Sequence, residues 1–232
     1  MAIVKFKDQL DAASKLIEIL PKKELADRKT IVVCMSLESV ILTDVVCKGL
    51  NLSYEMLFSE PIPAPNNNEC DVAIVSETED IVLNDPLIKA FGISYDYIYG
   101  EAHRQYEEKI LKNVYKYRKG NLIGELKDKN ILLIDEGCET GMTALICIKT
   151  LLDVKVKSIS YATPVIATDV FANLNDMVDE IYTINKIADF IDVDSYYEKK
   201  IETTSELIMS ILEESPHYLP LQKQQGDKNN AI

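Results

Sequence analysis

The chain has 232 residues, 47% of them hydrophobic and 27% charged, which excludes pure disorder and fibrous repeats and leaves room for one large domain. Lys plus Arg number 25 and Asp plus Glu 38, a formal charge of −13, the wrong sign for a surface that grips polyanionic nucleic acid. One small phosphorylated ligand stays compatible with that charge, because a few oriented backbone amides can hold a single phosphate.

The opening MAIVKFKDQL lacks the apolar core of a secretory signal, and no stretch approaches the ~20 apolar residues that cross a bilayer, so a cytoplasmic location with no membrane partner is expected. A helix is predicted over 7–20, with Leu10, Ala13, Leu16, Ile17 and Leu20 on one side and an end before Pro21. Short β-branched runs follow at 31–35, 72–76, 131–135, 158–162 and 180–184, alternating with helical patterns. Fully apolar strands such as 131–134 imply burial on both faces. That predicts an α/β fold, a doubly wound, mainly parallel sheet flanked by helices. The stretch PIPAPNNN, 61–68, reads as an exposed loop. Tyr95, Tyr97 and Tyr99 alternate as a half-buried strand would, and 101–118 forms a helix whose apolar stripe is Ala102, Tyr106, Ile110, Val114 and Tyr117, with Gly120 as its stop. Its basic residues, Arg104 to Lys119, read as a solvated face. Residues 1–219 are expected to form one domain, with a polar, frayed tail over 220–232.

Five scattered cysteines and only two histidines, His103 and His217, offer no zinc pattern or multi-histidine centre. The run that carries chemistry is ILLIDEGCETGMT, 131–143, where a buried strand ends at two carboxylates and a short loop opens into a helix. In open parallel sheets ligands sit beyond the carboxyl ends of strands. Gly137 and Gly141 permit a tight turn and close approach, and Thr140 and Thr143 add hydroxyls beside the free amides of a helix start, a cup for phosphate. Asp135 and Glu136 present acceptor oxygens that could hold neighbouring ribose hydroxyls. Solvated strand ends and a simple helix cap are the plainer explanation of the same residues.

Four apolar residues, two acids, a short turn and Thr-Gly-x-Thr resemble the phosphoribosyl diphosphate (PRPP) signature of type I phosphoribosyltransferases. Flanking features, the helix ending at Tyr117-Arg118-Lys119-Gly120, the strand ending at Ala162-Thr163-Pro164 and the aromatic segment 190–197, are similar to a bacterial subgroup of such domains. The resemblance implies a hood from terminal segments over the sheet, ribose binding by Asp135 and Glu136, and 5′-phosphate binding by Gly137, Cys138, Glu139, Thr140, Gly141, Met142 and Thr143. It also implies a diphosphate loop at Ser36, Leu37, Glu38 and Ser39, a Mg²⁺ cofactor, PRPP and a small nitrogenous acceptor as partners, and a homodimer. Glu139 is the candidate general base. The Ser36–Ser39 loop has neither glycine nor cation, and Glu38 would face a polyanion. A binding protein that senses PRPP or a nucleotide on the same fold is therefore the alternative. A phosphoacceptor receiver domain is disfavoured, since no acidic pair follows the first strand.

Overall fold

The computed structural model describes residues 3–200 and 202–222. In chain order it contains α1 (Gln9–Ile19), α2 (Lys22–Asp27), β1 (Ile31–Cys34), α3 (Val40–Leu50), β2 (Ser53–Met56), β3 (Ser59–Ala64), β4 (Asn67–Ser76) and β5 (Ile81–Leu83). Next come α4 (Asp85–Ala90), α5 (Tyr95–Gln105), a π-helical turn (Tyr106–Ile110), α6 (Leu111–Arg118) and β6 (Asn130–Ile134). The chain continues through α7 (Met142–Val154), β7 (Ser158–Ala167), α8 (Thr168–Asn175), β8 (Glu180–Ile187), a 3₁₀ turn (Asp194–Tyr196) and α9 (Ser205–Glu214).

Five strands form a wholly parallel sheet in the order β2-β1-β6-β7-β8. Its apolar strands are buried on both faces, as their composition predicts. Leu132 and Ile134 of β6 belong to one core layer with α1 and α3, and Ile131 and Leu133 to the other with α7 and α8. The order reverses between β1 and β6, and such switch points open a crevice at the carboxyl ends of the two strands.

A second sheet, antiparallel in the order β3-β4-β5, comes from residues 59–83 in mid-chain. The run 72–76 therefore lies in this sheet and not in the parallel one. The reason is local: 61–64, read from sequence as the start of a loop, completes the strand 59–64, and the short connection through Pro65 and Asn66 permits only an antiparallel return. Asn66 takes the left-handed conformation, φ 64°, that this turn needs. Pro61 and Pro63 are tolerated because β3 is an edge strand, and its register slips around Pro63. The terminal segments, expected to supply the hood, lie along edges of the parallel sheet. Val4 pairs with the Asn185 side chain, and Tyr54 of β2 bridges to Tyr218.

Tyr95, Tyr97 and Tyr99 are helical, not extended: Ser94 caps α5 by accepting from the Tyr97 amide at 3.3 Å. In the long helix Ala102, Ile110, Val114 and Tyr117 are buried as predicted, with Tyr106 half-buried. A stripe with spacing of four runs ahead of a 3.6-residue turn, and the wider π turn keeps it on one face. Arg118 leaves the solvated row altogether. It is fully buried, paired with Glu77 and stacked 4.9 Å from the Phe58 ring. Helix α1 begins at Gln9, with Asp8 as its N-cap, and Leu10 is exposed where the sequence placed it inward. Strand β7 runs past Pro164 to Ala167. Pro220 and Leu221, the start of the expected tail, are buried; 223–232 lie outside the described residues. Among the described residues no helix is long and apolar enough to cross a membrane.

Candidate functional site

The carboxyl ends of β1 and β6 deliver two loops side by side at the switch point, and together with β3, β4 and Asn113 they line a cleft of about 720 Å³. All the residues singled out over 135–143 line it, as do Ser36, Leu37 and Glu38. Ser39 does not. It is fully buried beneath the loop, its hydroxyl donating to the Ser36 carbonyl at 3.1 Å.

Asp135 ends β6 with its amide on the Ala162 carbonyl at 3.2 Å. The Ser36 hydroxyl lies 2.9 Å from Glu136 Oε2 and 3.2 Å from Asp135 Oδ1, so its single proton serves one carboxylate at a time. Burial, reinforced by the neighbouring Glu136 charge, pushes the Asp135 carboxyl well above the ordinary carboxylate range. Burial and then the Glu136 and Glu60 charges also raise the Glu38 carboxyl.

Beyond the acids, Cys138 fastens the loop to the second half of β7: its amide donates to the Val165 carbonyl at 2.9 Å and its carbonyl accepts from the Ala167 amide at 3.0 Å. Its thiol is pushed up to about 12 by burial, which suits packing and not nucleophilic attack. Gly141 adopts φ 74° and starts α7; a Cβ there would lie 2.7 Å from Val170. The amides of Gly137, Glu139 and Thr140 carry no partner among the described residues; in the first turn of α7 the Met142 amide donates to the Thr140 hydroxyl at 3.4 Å, and helix geometry gives the Thr143 amide no partner within the helix. Donors are thus grouped at one end of the cleft. Glu139 and Thr140 are exposed.

Charge is one-sided. Glu38, Glu60, Glu69, Asp71, Asp135, Glu136 and Glu139 line the cleft, and among the described lining residues there is no Lys, Arg or His. His103 lies outside that lining, exposed beside Glu107 at 3.4 Å.

The fold has a counterpart among solved structures. TT1426 from Thermus thermophilus is 23% identical, the match covering 91% of this chain and 99% of that one at a TM-score of 0.73. The chain has the fold of TT1426. Two enzymes are similar at lower scores. A purine phosphoribosyltransferase from Pyrococcus horikoshii Ot3 is 12% identical over 78% of this chain and 93% of its own, at a TM-score of 0.42. A hypoxanthine phosphoribosyltransferase from Staphylococcus aureus is 14% identical over 79% and 77%, also at 0.42. No family model and no curated protein matches the chain.

Two supporting residues have no local sequence signature. Gln9, in the first turn of α1, donates to the Glu38 carbonyl at 2.7 Å and accepts from the Leu42 amide at 3.1 Å, tying the Ser36–Ser39 loop to α3. Tyr197, the last residue of the aromatic segment 190–197, is buried and donates to the Glu136 carbonyl at 2.7 Å. Only a polar residue inside the apolar face of α1 hints at the first.

Proposed function

We propose that this chain is a phosphoribosyltransferase that moves the ribose 5-phosphate group of PRPP to a nitrogenous acceptor. The observation that carries the reading is the pairing, at a sheet switch point, of two adjacent carboxylates with a loop of unspent amides that opens a helix. Asp135 and Glu136 accept from the ribose hydroxyls once Ser36 yields them. The amides of Gly137, Glu139, Thr140 and Thr143, with the threonine hydroxyls, hold the 5′-phosphate. The acidic walls favour positive charge developing on the ribosyl ring as diphosphate leaves. Glu139, exposed at the cleft, is the candidate proton acceptor for the incoming nitrogen.

A diphosphate needs compensation that this cleft's side chains do not supply. Mg²⁺ fits the oxygen-rich donor set: Glu38 on the loop would hold it beside the diphosphate, with Glu60 joining once it exchanges its ion pair with Lys109 at 3.2 Å, and the ion's contribution is to neutralise the leaving group. Among the described residues no group of three or more His, Cys, Asp or Glu is placed to hold a metal alone, so the proposed ion would take its remaining ligands from the diphosphate and water. The cytoplasm is the proposed location and a homodimer the proposed assembly.

The cation-free lining favours a second reading, a regulatory protein that binds PRPP or a nucleotide without turnover. Calorimetry with PRPP and Mg²⁺, run beside an assay of diphosphate release over a panel of bases and amines, decides. Release with one acceptor supports the enzyme, binding without release supports the regulator, and no binding overturns both.

A further inference from the structure

We propose that Tyr197 is a positioning residue for the ribose-phosphate cup, its hydroxyl holding the Glu136–Gly137 peptide in the orientation that turns the Gly137 amide toward the ligand. The proposal rests on the ribose-phosphate reading above and adds to it a residue distant in sequence from the loop.

In a planar trans peptide the carbonyl and the following N–H point in opposite directions, so whatever fixes the Glu136 carbonyl also fixes the Gly137 amide. This peptide needs a restraint, because glycine on one side leaves its rotation sterically cheap. A flip would put a carbonyl oxygen where an anion needs a donor. The Tyr197 hydroxyl prevents it at 2.7 Å from the Glu136 oxygen, on a residue only 4% exposed. Burial, with the Glu136 and Asp135 charges, pushes the phenol upward and keeps its proton in place.

The tyrosine is itself braced. Its ring packs 5.4 Å from Phe6, the Phe6 amide donates to the Tyr196 carbonyl at 2.9 Å, and the Glu198 amide donates to the Phe6 carbonyl at 2.7 Å. Val193 of the same segment presses on Gly137 so closely that a Cβ there would lie 2.6 Å from its Cγ1. The segment after β8 therefore touches the loop at both ends of a single peptide.

The test compares wild type, Tyr197→Phe and Phe6→Leu for binding of PRPP and of ribose 5-phosphate with Mg²⁺, with melting temperatures and hydrogen exchange at the Gly137 amide. Tyr197→Phe removes only the hydroxyl; affinity is expected to fall roughly tenfold, the worth of one well-placed hydrogen bond, and Gly137 exchange to quicken without ligand. Phe6→Leu disturbs packing but keeps the hydroxyl, so melting falls while affinity changes less than about twofold. Equal affinity in wild type and Tyr197→Phe, or losses that follow melting temperature alike in both variants, overturns the positioning role and leaves the ribose-phosphate reading standing. A wild type that binds neither ligand overturns that reading, and this role with it.

Discussion

Asp135 is costly to ionise where it sits, and that cost sets a pH dependence. Its folded carboxyl is raised, first by burial and then by Glu136, so the native state keeps a proton that the unfolded chain gives up. Below the unfolded range, near about 3.9, both states are protonated and nothing is lost; as pH climbs toward the raised value, stability drains away. Asp135→Asn is therefore expected to melt higher than wild type at pH 8, with the gain vanishing near pH 4, while PRPP affinity drops about tenfold or more. Thermal melts across that range, with calorimetry, check both signs. At Gly137 the constraint is steric: Gly137→Ala drives a methyl into Val193 and should cost about 1–3 kcal/mol in denaturant unfolding, and weaken ligand binding as the loop shifts.

Among elements, the long helix and the small sheet depend on one buried charge pair. Arg118 at the end of α6 and Glu77 just after β4 are 0% and 3% exposed, and the Glu77 carboxylate also accepts from the Phe58 amide at 3.0 Å. Desolvation raises the Glu77 carboxyl even with the guanidinium beside it, so the pair specifies docking more than it adds stability. Glu77→Gln strands a buried cation and is expected to lose about 3–5 kcal/mol. The double variant Glu77→Leu with Arg118→Met should recover much of it. Urea unfolding of the single and double variants measures the coupling. Because β3 and β4 wall the cleft, the single variant should also weaken binding of the acceptor.

For the whole molecule, a charge of −13 and a cleft whose described lining holds seven carboxylates and no Lys, Arg or His mean that a polyphosphate needs a counter-charge to enter. PRPP binding measured in Mg²⁺ should disappear in EDTA, whereas ribose 5-phosphate, carrying less charge, should lose affinity by a smaller factor; calorimetry in the two buffers separates them. Double-stranded DNA should not bind at physiological salt in a mobility-shift experiment.

By itself the sequence determined the parallel α/β sheet and the place of the acidic loop. Both are local signals: four consecutive apolar residues demand burial on two faces, and acids followed by Gly and Thr at a strand end need no distant partner to be read. It also placed the apolar stripe of the long helix. The tertiary structure decided everything that depends on pairing across sequence distance. Three prolines and three asparagines looked like a loop at 61–68 until an edge position in a second sheet accommodated two of the prolines. Arg118 looked like one more solvated cation until Glu77, 41 residues earlier, took it inside. Three alternating tyrosines carried a period-two pattern that the Ser94 cap overrode. Tyr197 and Gln9 act on backbone atoms, 61 and 29 residues away, and a carbonyl oxygen leaves no mark in the one-letter code.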